Sequence, residues 1–158
     1  MDWAGWATFG FVATVILTGL MVAGQLGGLS RMDLPYMLGT ILVEEPDRAR
    51  VVGFLLHLVN GQVFALLYTG AFALIGWASW WLGALFGLAH GLAALTVIIP
   101  LLPGVHPRMA SERSGPELHT VLEPPGPFGL NYGRETSLFV LGAHVAYGAI
   151  LGGFITPR

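Results

Sequence analysis

The sequence contains no cysteine and no lysine, and only 10% of its 158 residues are charged. Without cysteine the chain cannot form disulfides, thiolate metal sites or iron–sulfur clusters. The seven basic residues are all arginines and stand against nine acidic residues, so no basic surface is available to follow phosphates, and nucleic acid is not an expected partner. The motifs of serine hydrolases, zinc peptidases and phosphate-binding loops are also missing, so nothing in the sequence supports an enzyme.

Apolar sequence, in contrast, is abundant: 54% of the residues are hydrophobic, and they form long uncharged runs. Since about 20 apolar residues cross the hydrocarbon of a membrane, runs 3–30, 51–107 and 136–157 provide four spans, with a turn at 76–81. We predict an all-α integral membrane protein: a single domain with transmembrane helices near 5–26, 51–75, 82–102 and 137–155 and loops 30–50 and 104–135. The first run has no basic segment before it and exceeds a signal's apolar core, so we expect a retained span.

Tryptophan and arginine separate to opposite ends of these predicted spans. All five tryptophans fall at one membrane face, as in an interfacial aromatic belt, and six of the seven arginines fall at the other. The positive-inside rule then predicts that both long loops are cytoplasmic and that both chain ends are outside.

The two loops carry different signals. In the first, Asp33 precedes a leucine and a proline, which predicts a capped interfacial helix through about residue 42. The second is rich in proline and glycine and is expected to be irregular, as a surface linker or a lid. Its candidate metal ligands are His106, His119, Glu112, Glu117 and Glu123. Their wide and irregular spacing favours ordinary solvated side chains instead.

Small residues recur at four-residue spacing on three predicted helices. Such stripes let helix backbones approach closely, which replaces the hydrophobic force that lipid cannot supply between helices. Two of the three stripes contain a histidine. The stripes are Gly53, His57, Gly61, Ala65 and Thr69; Gly83, Gly87 and Gly91; and His144, Gly148 and Gly152.

His57 and His144 begin the similar segments H-x-x-x-G-x-x-x-A and H-x-x-x-G-x-x-x-G, which indicates a duplicated two-helix unit. At about 1.5 Å per residue, both lie roughly 10 to 13 Å inside the same membrane face. A pseudo-two-fold axis along the membrane normal would place them symmetrically. Because ionisable residues inside membranes tend to mark sites, we predict His57 and His144 as ligands of a haem b or a divalent metal.

Two other interpretations of these histidines stay open, and the first of them is the simpler one. A neutral imidazole can hydrogen-bond a carbonyl or a tyrosine, such as Tyr68 or Tyr147, and have a purely structural role. The histidines can also form a proton or ion relay. His90, near the membrane centre, is a further candidate for cofactor binding or relay, although a buried structural histidine is the simpler interpretation.

Four segments together are similar to one known family. These segments are MDLPYMLG (32–39), HLVNGQVFALLY (57–68), GALFGLAHGL (83–92) and HVAYGAILGGF (144–154). They resemble a family of small bacterial and archaeal four-helix membrane proteins that is known only as a domain of unknown function. The resemblance covers all but the long second loop. It implies the four-helix fold and directs attention to His57 and His144, but it implies no activity.

From these patterns we expect a small non-enzymatic membrane subunit that holds a haem b or a metal between His57 and His144. Its expected partners are the lipid bilayer and either other membrane subunits, as in a bioenergetic complex, or further copies of itself. The alternatives are a small transporter or channel with the histidines as a proton or ion relay, and a structural scaffold without a cofactor.

Overall fold

A computed structural model describes residues 1–111 and 120–157 of the chain. It contains four helices that are long and apolar enough to cross a membrane. They are Trp3–Leu26, Pro46–Ile75, Trp80–Val105 and Thr136–Phe154. The predicted all-α four-helix architecture is therefore confirmed, and each span lies where the sequence predicted it, with ends a few residues away.

The elements follow one another as α1 (Trp3–Leu26), α2 (Leu34–Gly39), α3 (Pro46–Ile75), α4 (Trp80–Ala93), a π-helical turn (Ala94–Ile98), α5 (Ile99–Val105), a 3-10 segment (Pro127–Tyr132) and α6 (Thr136–Phe154). The π turn joins α4 and α5 into one continuous span. Within the described residues the second loop has little regular structure, as predicted: the 3-10 segment and an isolated bridge between Met109 and Leu122.

Side-chain caps decide where α2 and α3 begin. The Asp33 carboxylate accepts a hydrogen bond from the backbone N–H of Tyr36, so the predicted cap is confirmed, although α2 ends at Gly39 rather than near residue 42. The Glu45 carboxylate accepts hydrogen bonds from the next helical N–H groups, and these lower the pKa of Glu45. Since Pro46 is favourable in the first turn of a helix, α3 starts there, earlier than the predicted residue 51.

The start of α1, with Trp3 and Trp6, and the turn before α4, with Trp77, Trp80 and Trp81, lie at one end of the bundle. The Trp6 indole N–H, however, donates to the Gln62 carbonyl about half-way along α3 at 2.9 Å. α3 ends at Ile75 and is followed by Gly76, whose φ of 74° suits glycine, and α4 begins at Trp80, just after this turn. Near the end of α6, Gly153 lies beside Trp80. Beyond α6, the backbone N–H of Thr156 donates to the carboxylate of Asp2, which precedes α1, at 2.9 Å. Both chain ends and the turn between α3 and α4 therefore meet at this tryptophan end.

Arginine–carboxylate pairs gather at the opposite end, which we call the arginine end. They are Arg31–Glu123, Arg48–Glu45, Arg50–Asp33, Arg50–Asp47 and Arg108–Glu44, with the shortest at 2.9 Å. Burial and the neighbouring Glu123 also raise the pKa of Tyr132 to about 12, so its phenol stays neutral and donates to the Glu123 carbonyl. Which end faces the cytoplasm stays a prediction.

α4 and α6 pack backbone against backbone through their glycine stripes. A Cβ atom added at Gly83 would lie 2.0 Å from the carbonyl oxygen of Gly148, and one added at Gly148 would lie 2.0 Å from that of Gly83. At Gly87 a Cβ atom would lie 2.1 Å from the His144 carbonyl oxygen. These distances leave no room for a side chain, so the two stripes form one helix–helix contact.

α1 and α3 form a second close pair. A Cβ atom added at Gly61 would lie 1.9 Å from the Thr14 hydroxyl oxygen, and one added at Gly10 would lie 2.8 Å from the Ala65 side chain. Gly61 and Gly148 occupy the same position in the two H-x-x-x-G segments. The pairs α1–α3 and α4–α6 are the two units that the predicted duplication would have, and the duplication itself stays a prediction.

α2 lies against the first turns of α3 at the arginine end. A Cβ atom added at Gly53 would lie 1.7 Å from the carbonyl oxygen of Pro35, and one added at Gly39 would lie 1.7 Å from that of Ala49. This docking brings Met37 of α2 to the end of the bundle interior, where it is buried.

The contact between α4 and α6 predicts a steric effect of Gly148→Ala. The added methyl group would overlap the Gly83 carbonyl, and overpacking of this kind costs about 1–3 kcal/mol, or roughly 2–12 °C in midpoint. We expect a lower unfolding midpoint in detergent, measured by thermal melting with size-exclusion detection. The control is Gly142→Ala on the same helix, where a Cβ atom would have nothing within 4 Å. Equal midpoints for the two variants would contradict the contact.

Candidate functional site

A cavity of about 110 Å³ lies inside the bundle, between the middle of the spans and the arginine end. All three histidines of the spans, His57, His90 and His144, line it. The other lining residues are mostly apolar: Leu17, Met21, Met32, Leu34, Met37, Leu38, Asn60, Phe64, Ala94, Ile98, Ile99, Leu102 and Val140. The structure thus brings every predicted cofactor-binding residue to one place.

His57 reaches this cavity from α3 with one ring nitrogen already engaged. Its Nδ1 lies 2.9 Å from the hydroxyl oxygen of Thr18 on α1, and that hydroxyl donates to the carbonyl of Thr14 at 2.8 Å. A threonine hydroxyl has one hydrogen, so Thr18 accepts from an Nδ1–H group of His57. Nε2 of His57 is then the unprotonated nitrogen.

His144 on α6 has the same protonation pattern. Its Nδ1–H donates to the carbonyl oxygen of Val140, one turn earlier on the same helix, at 2.7 Å. Its Cβ atom lies beside Gly91 of α4, so the close contact between α4 and α6 also determines where this ring lies. Nε2 of His144 remains as an acceptor or a metal ligand.

His90 is in direct contact with His144, although the sequence had placed it apart from the pair. The two ring centroids are 4.7 Å apart and the planes nearly perpendicular. On its other side His90 packs on Phe64 with centroids 3.9 Å apart, and its Nδ1 lies 3.4 Å from the Tyr68 hydroxyl. Tyr68 therefore provides the tyrosine partner that the structural interpretation predicted, but for His90. Tyr147 instead donates to the carbonyl of Gly61 at 2.6 Å.

Aromatic rings close the cavity toward the tryptophan end. Tyr68 meets Tyr147 and Phe86 edge-on, with centroids 5.6 and 5.8 Å apart. Phe72 stacks on Phe86 at 5.5 Å. This aromatic layer separates the histidines from the tryptophan end, so the cavity extends toward the arginine end.

A π-helical turn forms part of the cavity wall and was missed in the sequence. Ala94 and Ile98, the first and last residues of this turn, both line the cavity. Pro100 lacks a backbone N–H and its ring opposes the carbonyl of Thr96, four residues earlier, which disturbs the α-helical pattern here. Turns of this kind are frequent at functional sites, and a proline inside a predicted span was the available signal.

The volume of the cavity bears on which cofactor it can hold. About 110 Å³ is well below the roughly 300–1,000 Å³ of typical small-molecule sites. The side chains as placed leave no space for a haem macrocycle between His57 and His144, whereas a single metal ion needs far less room. In residues 1–111 and 120–157, however, no group of three His, Asp or Glu side chains is arranged to hold a metal ion. The histidines alone therefore do not complete a metal site.

The loop residues do not form a second site in the described part of the chain. His106 is buried rather than solvated, so that expectation was wrong for this residue. Its Nδ1 accepts from the backbone N–H of Arg108 at 3.1 Å, and its Nε2 donates to the carbonyl of Met37 at 2.9 Å. Both ring nitrogens are therefore used in hydrogen bonds, one within the second loop and one from this loop to α2. Glu123 pairs with Arg31. The remaining candidates, His119, Glu112 and Glu117, lie outside the described residues.

A larger cavity, of about 830 Å³, lies between the third span and the second loop. Its lining is mostly apolar, and none of the described residues that line it is titratable. Proline predominates: Pro100, Pro103, Pro124, Pro125 and Pro127. Its polar side chains are Thr96, Ser111 and Asn131, and none of its described lining residues is a histidine, a carboxylate or a methionine. Because metal and cofactor binding needs such ligating groups, we place the candidate site in the smaller, histidine-lined cavity.

Comparison of the chain with protein-family models, with curated proteins and with solved structures found no match. The resemblance to a family of small four-helix membrane proteins therefore stays a prediction. The chemistry of the site follows from the side chains that line the cavity.

The hydrogen bond between His57 and Thr18 predicts a specific effect of Thr18→Val. The substitution keeps the side-chain shape but leaves the buried Nδ1–H without an acceptor, which costs about 1–3 kcal/mol. We expect the free energy of unfolding in detergent to fall more than in Thr69→Val. Thr69 is a matched control because its hydroxyl is equally buried and donates to the carbonyl one turn earlier at 2.8 Å. Equal losses in both variants would show that His57 does not depend on Thr18.

Proposed function

We propose that this chain is a non-enzymatic integral membrane subunit that binds a transition-metal ion in the three-histidine cavity, with His57 and His144 as imidazole ligands. The observation that carries the proposal is their shared hydrogen bonding. In both residues Nδ1–H is held by an acceptor, and Nε2 is left with a lone pair. Metal-binding histidines in proteins are oriented in this way, since the second nitrogen sets the tautomer and the ring direction.

The metal ion takes the place of the haem b that the sequence also suggested, because the cavity is too small for the macrocycle. Imidazole suits several first-row metals, including zinc, copper, iron and nickel. His90, in contact with His144, supports the position of that ring and is available as a further ligand.

The apolar exterior supports a role in contact with lipid and with other membrane proteins. Only 22–39% of the most apolar window of each span is buried within the chain. The remaining surface faces the bilayer, other membrane subunits of a larger complex, or further copies of this chain. In the described part of the chain, Arg31, Arg48, Arg50 and Arg108 are each paired with a carboxylate, an arrangement that does not favour nucleic acid.

Metal analysis of gently purified protein tests the proposed function. We expect about one equivalent of a transition metal after reconstitution, and at least tenfold weaker binding in His57→Gln and His144→Gln. His106→Gln is the control, since it removes an imidazole outside the cavity and keeps a hydrogen-bond donor for Met37. If no first-row metal binds, or if the His57 and His144 variants bind like the original protein, the proposed function is wrong.

We also propose that the arginine end faces the cytoplasm and that both chain ends face outside, as the arginine distribution suggests. The absence of cysteine makes this directly testable, because each introduced cysteine is the only one. In intact cells a membrane-impermeant maleimide is expected to label Thr156→Cys, at the tryptophan end, but to label Leu42→Cys only after lysis. Both positions are exposed. Labelling of Leu42→Cys alone in intact cells would mean the opposite orientation.

The contact between His90 and His144 favours a second candidate function, a small transporter or channel in which the histidines relay protons or ions. Tyr68, His90 and His144 form a row of polar rings in the bundle interior. A through-path would need the aromatic layer to move, because Phe72 and Phe86 stack across its route. Proteoliposomes with an imposed pH gradient test this candidate: a relay predicts proton flux above empty liposomes that His90→Phe abolishes. No flux above empty liposomes would exclude the relay.

A further inference from the structure

Methionine is concentrated at the histidine-lined cavity. The chain has five methionines, and four of them are buried: Met21, Met32, Met37 and Met109. Three of these four, on α1, before α2 and on α2, line this single cavity of about 110 Å³. Each of the three is less than 5% exposed. These three methionines thus line the same cavity as His57 and His144.

The methionines form the side of the cavity nearest the arginine end. Thr18, the partner of His57, is followed one helical turn later on α1 by Met21, in the direction of that end. Met37 lies on α2, and its carbonyl accepts from His106 of the second loop. The terminal methyl of Met32 lies near Gly129 of the 3-10 segment. The cavity therefore has a histidine layer inside and a methionine layer toward the loops.

The ligands available in this cavity are neutral. None of the described residues that line it is aspartate or glutamate, and the chain has no cysteine. A dication would therefore enter a low-dielectric interior without any opposite charge, which is unfavourable. A monovalent ion carries half that charge and tolerates neutral ligands more readily.

The softness of the available ligands also favours a monovalent ion, Cu(I). Thioether sulfur is a soft ligand that selects Cu(I), and imidazole suits copper as well. Magnesium and calcium prefer oxygen ligands, and structural zinc sites are usually completed by thiolate, imidazole or carboxylate. The set of imidazole and thioether groups in this cavity matches Cu(I) in both charge and softness.

We infer that the metal of this protein is Cu(I), held by the imidazoles of His57 and His144 together with thioethers from the Met21, Met32 and Met37 layer. This inference rests on the proposed function and adds to it the identity of the ion and the remaining ligands. It also explains how a metal binds although no three histidine or carboxylate side chains converge in the described residues. The missing ligands are sulfur atoms.

Cu(I) titration against a chromogenic Cu(I) chelator, under anaerobic reducing conditions, tests the inference on the full chain in detergent. The variant replaces Met21, Met32 and Met37 by leucine, a swap of similar volume that cores tolerate well. We expect its Cu(I) affinity to fall at least tenfold. Met109→Leu is the matched control, because Met109 is equally buried but does not line the cavity. Its affinity is expected to stay unchanged, and thermal melting verifies that each variant is folded.

X-ray absorption at the copper edge gives a second readout. Because the chain has no cysteine, any protein sulfur bound to copper must come from methionine. We expect sulfur scattering in the original protein and its loss in the triple variant.

The outcomes separate the inference from the proposed function. If Cu(I) binds through nitrogen alone and the triple variant binds equally well, the methionines are only core packing and the inference is wrong, while the proposed function stands. Tighter binding of Zn(II) than of Cu(I) would also contradict the inference that the metal is Cu(I), and the proposed function would still stand. If neither ion binds, and no other first-row metal binds either, the proposed function fails with it.

Discussion

Close contact at glycines within two helix pairs is the constraint on which the rest of this structure depends. Lipid supplies no hydrophobic force between helices, so association relies on close packing, and glycines at Gly83 and Gly148 let α4 and α6 touch directly. In the pair α1–α3, Gly61 instead leaves room for the side chain of Thr14. Between α3 and α4 the spacing is different, because aromatic side chains such as Phe72 and Phe86 fill it. The cavity lies where this layer of rings ends.

The demand for hydrogen bonds in an apolar interior then shapes the site. An unpaired polar group in hydrocarbon is costly, and the backbone of a helix has little capacity left for side chains. Thr18 and the Val140 carbonyl each satisfy one imidazole N–H. The same hydrogen bonds leave Nε2 of His57 and His144 with a lone pair, and both residues line a small cavity whose other walls are neutral and include three methionines. The hydrogen bonds that stabilise these two imidazoles in the interior therefore also leave one nitrogen of each ring able to bind a ligand.

Local features of the sequence were sufficient for the fold. Span positions follow from the length of uncharged runs, and the cap at Asp33 follows from residue type, because both depend on neighbours in the chain. The separation of tryptophan from arginine and the four-residue stripes were likewise visible without a structure. The sequence also identified His57 and His144 as the pair to examine, since their segments repeat.

The tertiary structure alone decided which residues share the site with them. Depth along a helix does not reveal rotation about its axis, so the contact of His90 with His144 was not predictable. Met32 and Met37 lie in a loop and a short helix whose docking depends on distant contacts, and His106 is buried by the same docking. The sequence by itself determined four spans and two histidines at one depth. Long-range packing decided where the cavity lies, which methionines line it and which nitrogen of each imidazole stays unprotonated, because these features depend on neighbours far apart in the chain.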